Sequence, residues 1–284
     1  MTPDIYNDKR FGINHKSISN NALNIILRLQ KSGFQAYIVG GGIRDMIKGL
    51  KPKDFDIVTN CEPEEIRKIF RNSRIIGRRF KLVHIAFADE IIEATTFRAG
   101  GTKTTESIEI NEKGRIVRDN NWGTQEEDVL RRDLTINSIY YDPFSNEIID
   151  YTKGIKDLKD KKIKFIGNSG ERILEDPVRI LRALRFAAKL NFTIDPEIVK
   201  GIKKHRNQLL EMPPARLYEE VIKLFMTGHA EQSLIQLKAY GVFDILFPNF
   251  LDKDQKFNEF YLEAFKETDK RFKLNKKLNV GFIF

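Results

Sequence analysis

Cysteine is nearly absent. Cys61 stands alone in 284 residues, so no disulfide closes within the chain and no thiolate metal cluster is built from it alone. Histidine is scarce too. His15, His84, His205 and His229 lie far apart, and none is followed by Asp, which removes the His-Asp phosphohydrolase dipeptide and leaves a histidine-rich metal site without support. No apolar run approaches the roughly 18 residues that span a bilayer. The opening stretch, Met1 to Lys16, is polar and lacks the apolar core of a signal peptide. These absences predict a cytoplasmic protein with no membrane partner.

What is present is a basic, globular composition. Hydrophobic residues make up 41%, enough for a packed core. The net charge of +9 comes from 49 basic and 40 acidic residues and favours polyanionic partners, without choosing among RNA, DNA and anionic surfaces.

The chain divides by pattern. Residues 1–16 read as a loose polar arm. A helix is predicted over 17–33, capped at Ser19 or Asn20. Ala36–Val39 reads as a buried strand that runs into Gly40-Gly41-Gly42 and a short helix from Ile43 to Lys48. Asp54–Val58 alternates as a strand with both acids on one face. A helix follows over 63–71, with Pro63 in its first turn. Strands are expected at 75–76, 82–87 and 91–97. Arg98 to Asn121, rich in Gly, Thr and charge, reads as a mobile loop. A helix from Gln125 and strands near 138–141 and 147–150 complete this part. Beyond 165, helical periodicity runs almost unbroken to 240. The expected fold class is α+β: a head over 17–165 with a mixed sheet and helices, then an all-helical region.

Asp54 and Asp56 carry the chemistry most directly. Residues two apart in a strand point to the same side. Two carboxylates so placed suit a hard cation such as Mg²⁺, and two-metal phosphoryl-transfer sites use such pairs with metals about 3.5–4 Å apart. A solvated strand face gives the same pattern. The glycine turn sits some ten residues earlier, where Gly41 and Gly42 let the backbone approach a phosphate and Arg44 adds a bidentate cation. It is neither a dinucleotide fingerprint nor a Walker loop. Glu93, within an apolar strand, faces either solvent or a site. Facing a site, it serves as a third carboxylate, metal ligand or base. Arg132 and Asp133 are suited to phosphate and ribose, or to a helix-end salt-bridge cluster. Glu175-Asp176-Pro177 opens a helix on which Arg179, Arg182 and Arg185 recur every third residue. Asp and Arg side chains present planar arrays of acceptors and donors that imitate a base edge, although i,i+3 pairs on a solvated face read alike.

In order, Gly-Gly-x-Ile-Arg-Asp, Asp54-Phe-Asp56, Arg-Arg-Asp-Leu-Thr-Ile-Asn and Glu-Asp-Pro-x-Arg-x-x-Arg-Ala-x-Arg-Phe resemble the class II family of tRNA nucleotidyltransferases and bacterial poly(A) polymerases. The likeness runs from about residue 17 onward. It implies a nucleotidyltransferase head over 17–165, a helical neck over 166–230 and a partial helical body over 231–284. It also implies roles. Asp54 and Asp56 match metal-binding carboxylates, Gly41 and Arg44 match phosphate contacts, and Glu93 falls where a further acid is expected. Arg132 and Asp133 match the ribose motif, and Asp176, Arg179, Arg182 and Arg185 match the base-reading helix. The implied reaction adds AMP from ATP, with Mg²⁺, to RNA 3′ ends.

Within the family, Ile75 to Ile85, with Arg78-Arg79-Phe80, resembles the poly(A) polymerase branch. Pro214 to Glu220 and Tyr240 to Phe243 resemble it as well. The alternatives are a CCA-adding enzyme and a catalytically idle RNA-binding relative. The closing run, Leu278 to Phe284, grows apolar and stops abruptly, and predicts a shortened form of a longer enzyme.

Overall fold

The computed structural model describes residues 1–77, 81–99, 108–110, 116–119, 121–248 and 255–282. They fall into two compact units, Met1–Lys159 and Asp160–Phe284. The division lies ahead of the compositional change at 165. The Arg78-Arg79-Phe80 segment that resembles polymerases lies outside the described residues, as do the last two residues of the terminal run.

The first unit is built on a mixed sheet. Six strands come first: β1 (Asp4–Asn7), β2 (Ala36–Val39), β3 (Asp56–Thr59), β4 (Ser73–Ile76), β5 (Leu82–Ala86) and β6 (Ile91–Thr96). A separate hairpin follows, β7 (Ile108–Ile110) with β8 (Ile116–Asp119), before β9 (Ile139–Asp142) and β10 (Glu147–Asp150) return to the sheet. The spatial order is β1-β10-β9-β2-β3-β6-β5-β4. Only β3 and β6 run parallel, at the sheet's middle.

Helices α1 (Asn20–Lys31), α2 (Gly41–Ile47), α3 (Pro63–Ile69), α4 (Gln125–Arg131) and α5 (Gly154–Lys159) belong to this unit. Helix α1 forms because Ala22, Ile25, Ile26 and Leu29 share one stripe and the Ser19 hydroxyl accepts the free N–H groups of Asn21 and Ala22. It stops at Gly33, whose φ is +87°. Its stripe joins Ile38, Ile57, Ile66, Val83, Ile85 and Ile92 in the main core on one side of the sheet. A smaller cluster of Val39, Val58, Phe97, Val129 and Tyr140 fills part of the other side.

Four sequence expectations are corrected. The polar arm is not loose. Residues 4–7 pair with β10 at the sheet's edge, and Asp8, 2% exposed, accepts hydrogen bonds from Tyr141 Oη at 2.7 Å and His15 Nε2 at 2.6 Å. An edge strand needs only alternate burial, so polar composition hid it. The expected mobile loop over 98–121 lies mostly outside the described residues, but within it Ile108–Ile110 pairs with Ile116–Asp119, short apolar runs hidden in sequence by Gly- and charge-rich neighbours. Regular pairing in the acidic strand begins at Asp56 rather than Asp54. The helical region holds a two-residue parallel pair, β11 (Lys162–Ile163) with β12 (Thr193–Ile194).

The second unit otherwise consists of α6 (Ser169–Glu175), α7 (Val178–Leu190), α8 (Pro196–His205), α9 (Pro214–Phe225), α10 (Ala230–Ala239), α11 (Phe243–Leu246) and α12 (Gln255–Lys273). Helix α7 is its axis, buried nearly all round and broken only by Arg182, Arg185 and Lys189. Among the described residues, no helix is long and apolar enough to cross a membrane.

Candidate active site

The site in the first unit lies where β2, β3 and β6 adjoin. In register, Val39 faces Asp56, and Asp56 faces Glu93 on the parallel neighbour. Partners in register project to the same face, so the Asp56 and Glu93 side chains stand side by side. Asp54 joins them. Phe55 between the two acids is buried while both acids are exposed, so the alternation extends one step before regular pairing starts.

The glycine turn closes on this group. Gly40 has φ +81°, and a Cβ there would lie 3.2 Å from Asp56 Oδ2. A Cβ on Gly42 would meet the Asp54 carbonyl oxygen at 3.0 Å. The turn therefore needs glycine for two reasons: a left-handed backbone at 40 and a close approach to the acidic strand at 40 and 42. Gly40 is a site residue that a motif reading centred on Gly41 and Gly42 passes over. The run of three glycines directly after a buried strand is its signal.

Electrostatics tie these groups together. Solvent reaches the Asp56 carboxylate, yet the surrounding strands desolvate it and raise its pKa. Glu93 raises it further, Arg132 opposes the rise, and Asp54 adds to it. Such mutual repulsion is what a bound cation relieves. Among the described residues, no group of three or more Asp, Glu, His or Cys side chains encloses a single metal position. Two carboxylates completed by substrate phosphates and water are the usual environment of Mg²⁺, so the residues present fit that ion.

The flanking motifs meet here in part. Arg132 donates from Nε to Asp128 Oδ2 at 3.0 Å and to Tyr140 Oη at 3.1 Å, and its guanidinium lies 5.3 Å from the Tyr140 ring centre. Tyr140 pairs in register with Val39, one residue before the turn. Asp133 is half-buried on the link after α4. Arg44 departs from expectation. It is 2% exposed, donating from Nε to Asp45 Oδ1 at 2.8 Å and from Nη1 to Asn137 Oδ1 at 2.5 Å. The guanidinium braces the turn against the segment after α4 instead of standing open to a phosphate. Beside Glu93, on the neighbouring strand β5, stands His84, with Nε2 3.3 Å from Glu93 Oε1.

A second group forms in the helical unit. Asp176 Oδ2 accepts from Arg216 Nη2 of α9 at 2.5 Å. Arg179, 6% exposed, donates from Nη1 to the Arg172 carbonyl and to Glu175 Oε2, both at 2.7 Å. Arg182 and Arg185 face Glu220 of α9 at 3.9 and 3.6 Å, and Lys223 reaches the same carboxylate at 3.1 Å. The resemblance assigns Asp176 and Arg179 alike to the base-reading helix. In the structure each is held by a different neighbour. Arg216 and Glu220 were missed as partners. Their i,i+4 spacing on a helix is the signal that puts both on one face of α9.

A mixed-sheet head followed by a helical unit is matched by the comparisons with known proteins. Residues 36–164 match the model of the poly A polymerase head domain, and residues 191–253 match that of the probable RNA and SrmB-binding site of polymerase A. Poly(A) polymerase I of Salmonella typhi is 43% identical over 97% of this chain and 61% of its own length. Its counterpart in Haemophilus influenzae is 43% identical over 97% and 63%. The CCA-adding enzyme of Streptococcus uberis is 36% identical over 78% and 53%. Among solved structures, a tRNA nucleotidyltransferase complexed with a primer tRNA and an incoming ATP analog superposes with a TM-score of 0.70 at 26% identity, covering 91% of this chain and 72% of the other. The Bacillus stearothermophilus CCA-adding enzyme in complex with CTP gives 0.67 at 27%, covering 87% and 56%. The chain belongs to the poly(A) polymerase family. It spans about three fifths of the length of the poly(A) polymerases it matches.

Proposed function

We propose that the protein adds AMP from ATP to RNA 3′ ends and releases pyrophosphate. The observation that carries this reading is the meeting of Asp56 and Glu93 on adjacent strands under the Gly40 turn, in a chain 43% identical to Poly(A) polymerase I. The 3′-hydroxyl oxygen attacks the α-phosphorus, the bond to the β-phosphate oxygen breaks, and pyrophosphate leaves.

Each residue has a task. Gly41 and Gly42 bring the backbone close to the triphosphate, and Arg44 holds that turn in place from beneath. Glu93 takes the proton of the attacking hydroxyl. Asp54 and Asp56 hold Mg²⁺, which when bound supplies Lewis-acid neutralisation of the phosphate charge. Arg132 balances charge beside them, and Asp133 accepts from ribose hydroxyls. In the helical unit, Asp176, Arg182 and Arg185 read the base, and Arg179, buried against the Arg172 carbonyl and Glu175, braces the start of their helix. Most of the rate enhancement comes from positioning and preorganised charge.

A second reading has a specific basis, because CCA-adding enzymes stand among both the relatives and the solved neighbours. Incubating the protein with RNA and each nucleoside triphosphate separately, then sizing the products, decides between them. Long tails from ATP alone support polyadenylation. A defined three-nucleotide addition from mixed CTP and ATP on tRNA lacking its end transfers the assignment to CCA addition. No addition from any nucleotide leaves an RNA-binding relative.

A further inference from the structure

The acidic pair does not end the row of charged residues across the sheet. In register, Asp56 of β3 faces Glu93 of β6, Glu93 faces His84 of β5, and His84 faces Arg74 of the edge strand β4. Partners in register share a face, so the four side chains form one line from the middle of the sheet to its rim. Strand spacing sets the steps at about 4.8 Å, which puts His84 and Arg74 roughly 5 and 10 Å beyond Glu93.

This face of the outer strands is open, while the opposite face is core. Val83, Ile85, Ile92 and Ala94 are buried, while their alternates in β5 and β6 reach solvent. Ile91 is 61% exposed and Glu93 49%. Arg74 is exposed, and among the described residues it has no ion-pair partner. An open sheet face normally turns neutral or mixed polar groups to water. Here the charge changes sign along one line, with acids at the centre and bases at the rim.

We propose that this row is the seat of the RNA 3′-terminal backbone, with Arg74 and His84 as its phosphate contacts. The inference rests on the nucleotidyl-transfer reading above and adds the direction of approach. In-line displacement puts the attacking and leaving oxygens on opposite sides of the phosphorus. The triphosphate lies toward β2, where the glycine turn closes on Asp56. The hydroxyl therefore arrives from the other side of Asp56, over Glu93. The nucleotides behind that hydroxyl must then lie over β5 and β4. A polyanion laid there meets His84 first and Arg74 next, and the carboxylates stay beneath the reacting end. His84 has a second effect: its contact with Glu93 orients that carboxylate toward the terminal ribose.

The test uses the whole chain with Arg74→Glu, Arg74→Gln and His84→Gln, each checked for an unchanged melting temperature. Affinity for a short single-stranded RNA is measured by fluorescence anisotropy at several salt concentrations. Zero-length photocrosslinking of RNA ending in 4-thiouridine maps the contact. The expected results are a roughly tenfold weaker RNA affinity for Arg74→Glu and a salt slope smaller by about 0.7 for Arg74→Gln. KM for ATP should stay unchanged, and the wild-type crosslink should fall within residues 73–97. Unchanged RNA affinity in both Arg74 variants, or a crosslink elsewhere, overturns the proposal whichever nucleotide the enzyme adds. Failure of the wild type to add AMP defeats the polyadenylation reading instead, and the crosslink still judges the seat. Should Arg74→Glu prove unstable, Arg74→Gln and the crosslink carry the decision.

Discussion

Two residues of the head combine tight packing with a readable outcome. Gly40 holds a left-handed backbone 3.2 Å from the Asp56 carboxylate by its absent Cβ. Gly40→Ala therefore meets backbone strain on the order of 1–3 kcal/mol and pushes on the Asp56 carboxylate. The expected outcome is a modest loss of thermal stability with at least a tenfold loss of nucleotide addition. Activity within twofold of wild type would show that the turn does not need this approach. Cys61 is fully buried, and its thiol is pushed up to about 12, first by burial, then by Glu65 and Glu62. The folded state thus keeps a proton that the unfolded chain releases near 9.0. The linked stability is full below that value and is lost as pH rises toward about 12. At pH 8 a thiol-reactive dye should label the protein only on unfolding, and rapid labelling of the native protein would contradict the buried placement. The acidic pair was legible because period-two alternation needs no knowledge of the fold. The inward use of Arg44 was not, because Asn137, its partner, is brought to it only by tertiary folding.

At the scale of elements, legibility followed local periodicity. Helix α1 and strands β2, β5 and β6 were readable because each buries a regular stripe or alternation against the core. Strand β1 was not, because its stability comes from backbone pairing with β10 and from Asp8, whose partners Tyr141 and His15 lie elsewhere in the chain. The same limit hid the contact of α7 with α9. The sequence displays the Arg182 and Arg185 stripe, but only packing reveals that a single carboxylate, Glu220, faces both. Glu220 is 5% exposed, and three cations, Arg182, Arg185 and Lys223, lie within 3.9 Å of its carboxylate. Glu220→Gln keeps the shape and removes the charge. The expected destabilisation is about 2 kcal/mol, below the usual range for a broken buried pair because Arg182 and Lys223 reach solvent. On the proposed base-reading role, nucleotide affinity should fall with it, since Arg182 and Arg185 lose a carboxylate that faces them. Melting curves and ATP titration of the variant measure the two effects, and a wild-type ATP affinity would show that the stripe is ordered without Glu220.

For the molecule as a whole, the question is how a basic surface and an acidic centre divide the work. The net charge is +9, yet the residues proposed for the centre of catalysis are carboxylates. If the protein acts on RNA as proposed, that polyanion is drawn by charge spread over the chain and repelled at the proposed point of chemistry, unless a cation is bound there. Binding and catalysis should separate on mutation. Asp54→Ala and Asp56→Ala each remove one repelling charge and one proposed metal ligand. Nucleotide addition should fall at least a thousandfold in each, comparable to the loss of a major electrostatic stabiliser. RNA affinity should hold or rise slightly, and in wild type it should fall steeply with added salt because several phosphate contacts release counterions together. Without Mg²⁺ the wild type should behave as the variants do, binding RNA and failing to extend it. The measurements are primer extension and RNA anisotropy across a salt series, with melting curves to confirm the fold. A tenfold loss of RNA affinity in Asp56→Ala would mean that the acidic centre helps to hold the RNA. Mg²⁺-dependent extension surviving in either variant would remove the pair from the metal site and leave Glu93 to be tested as its replacement.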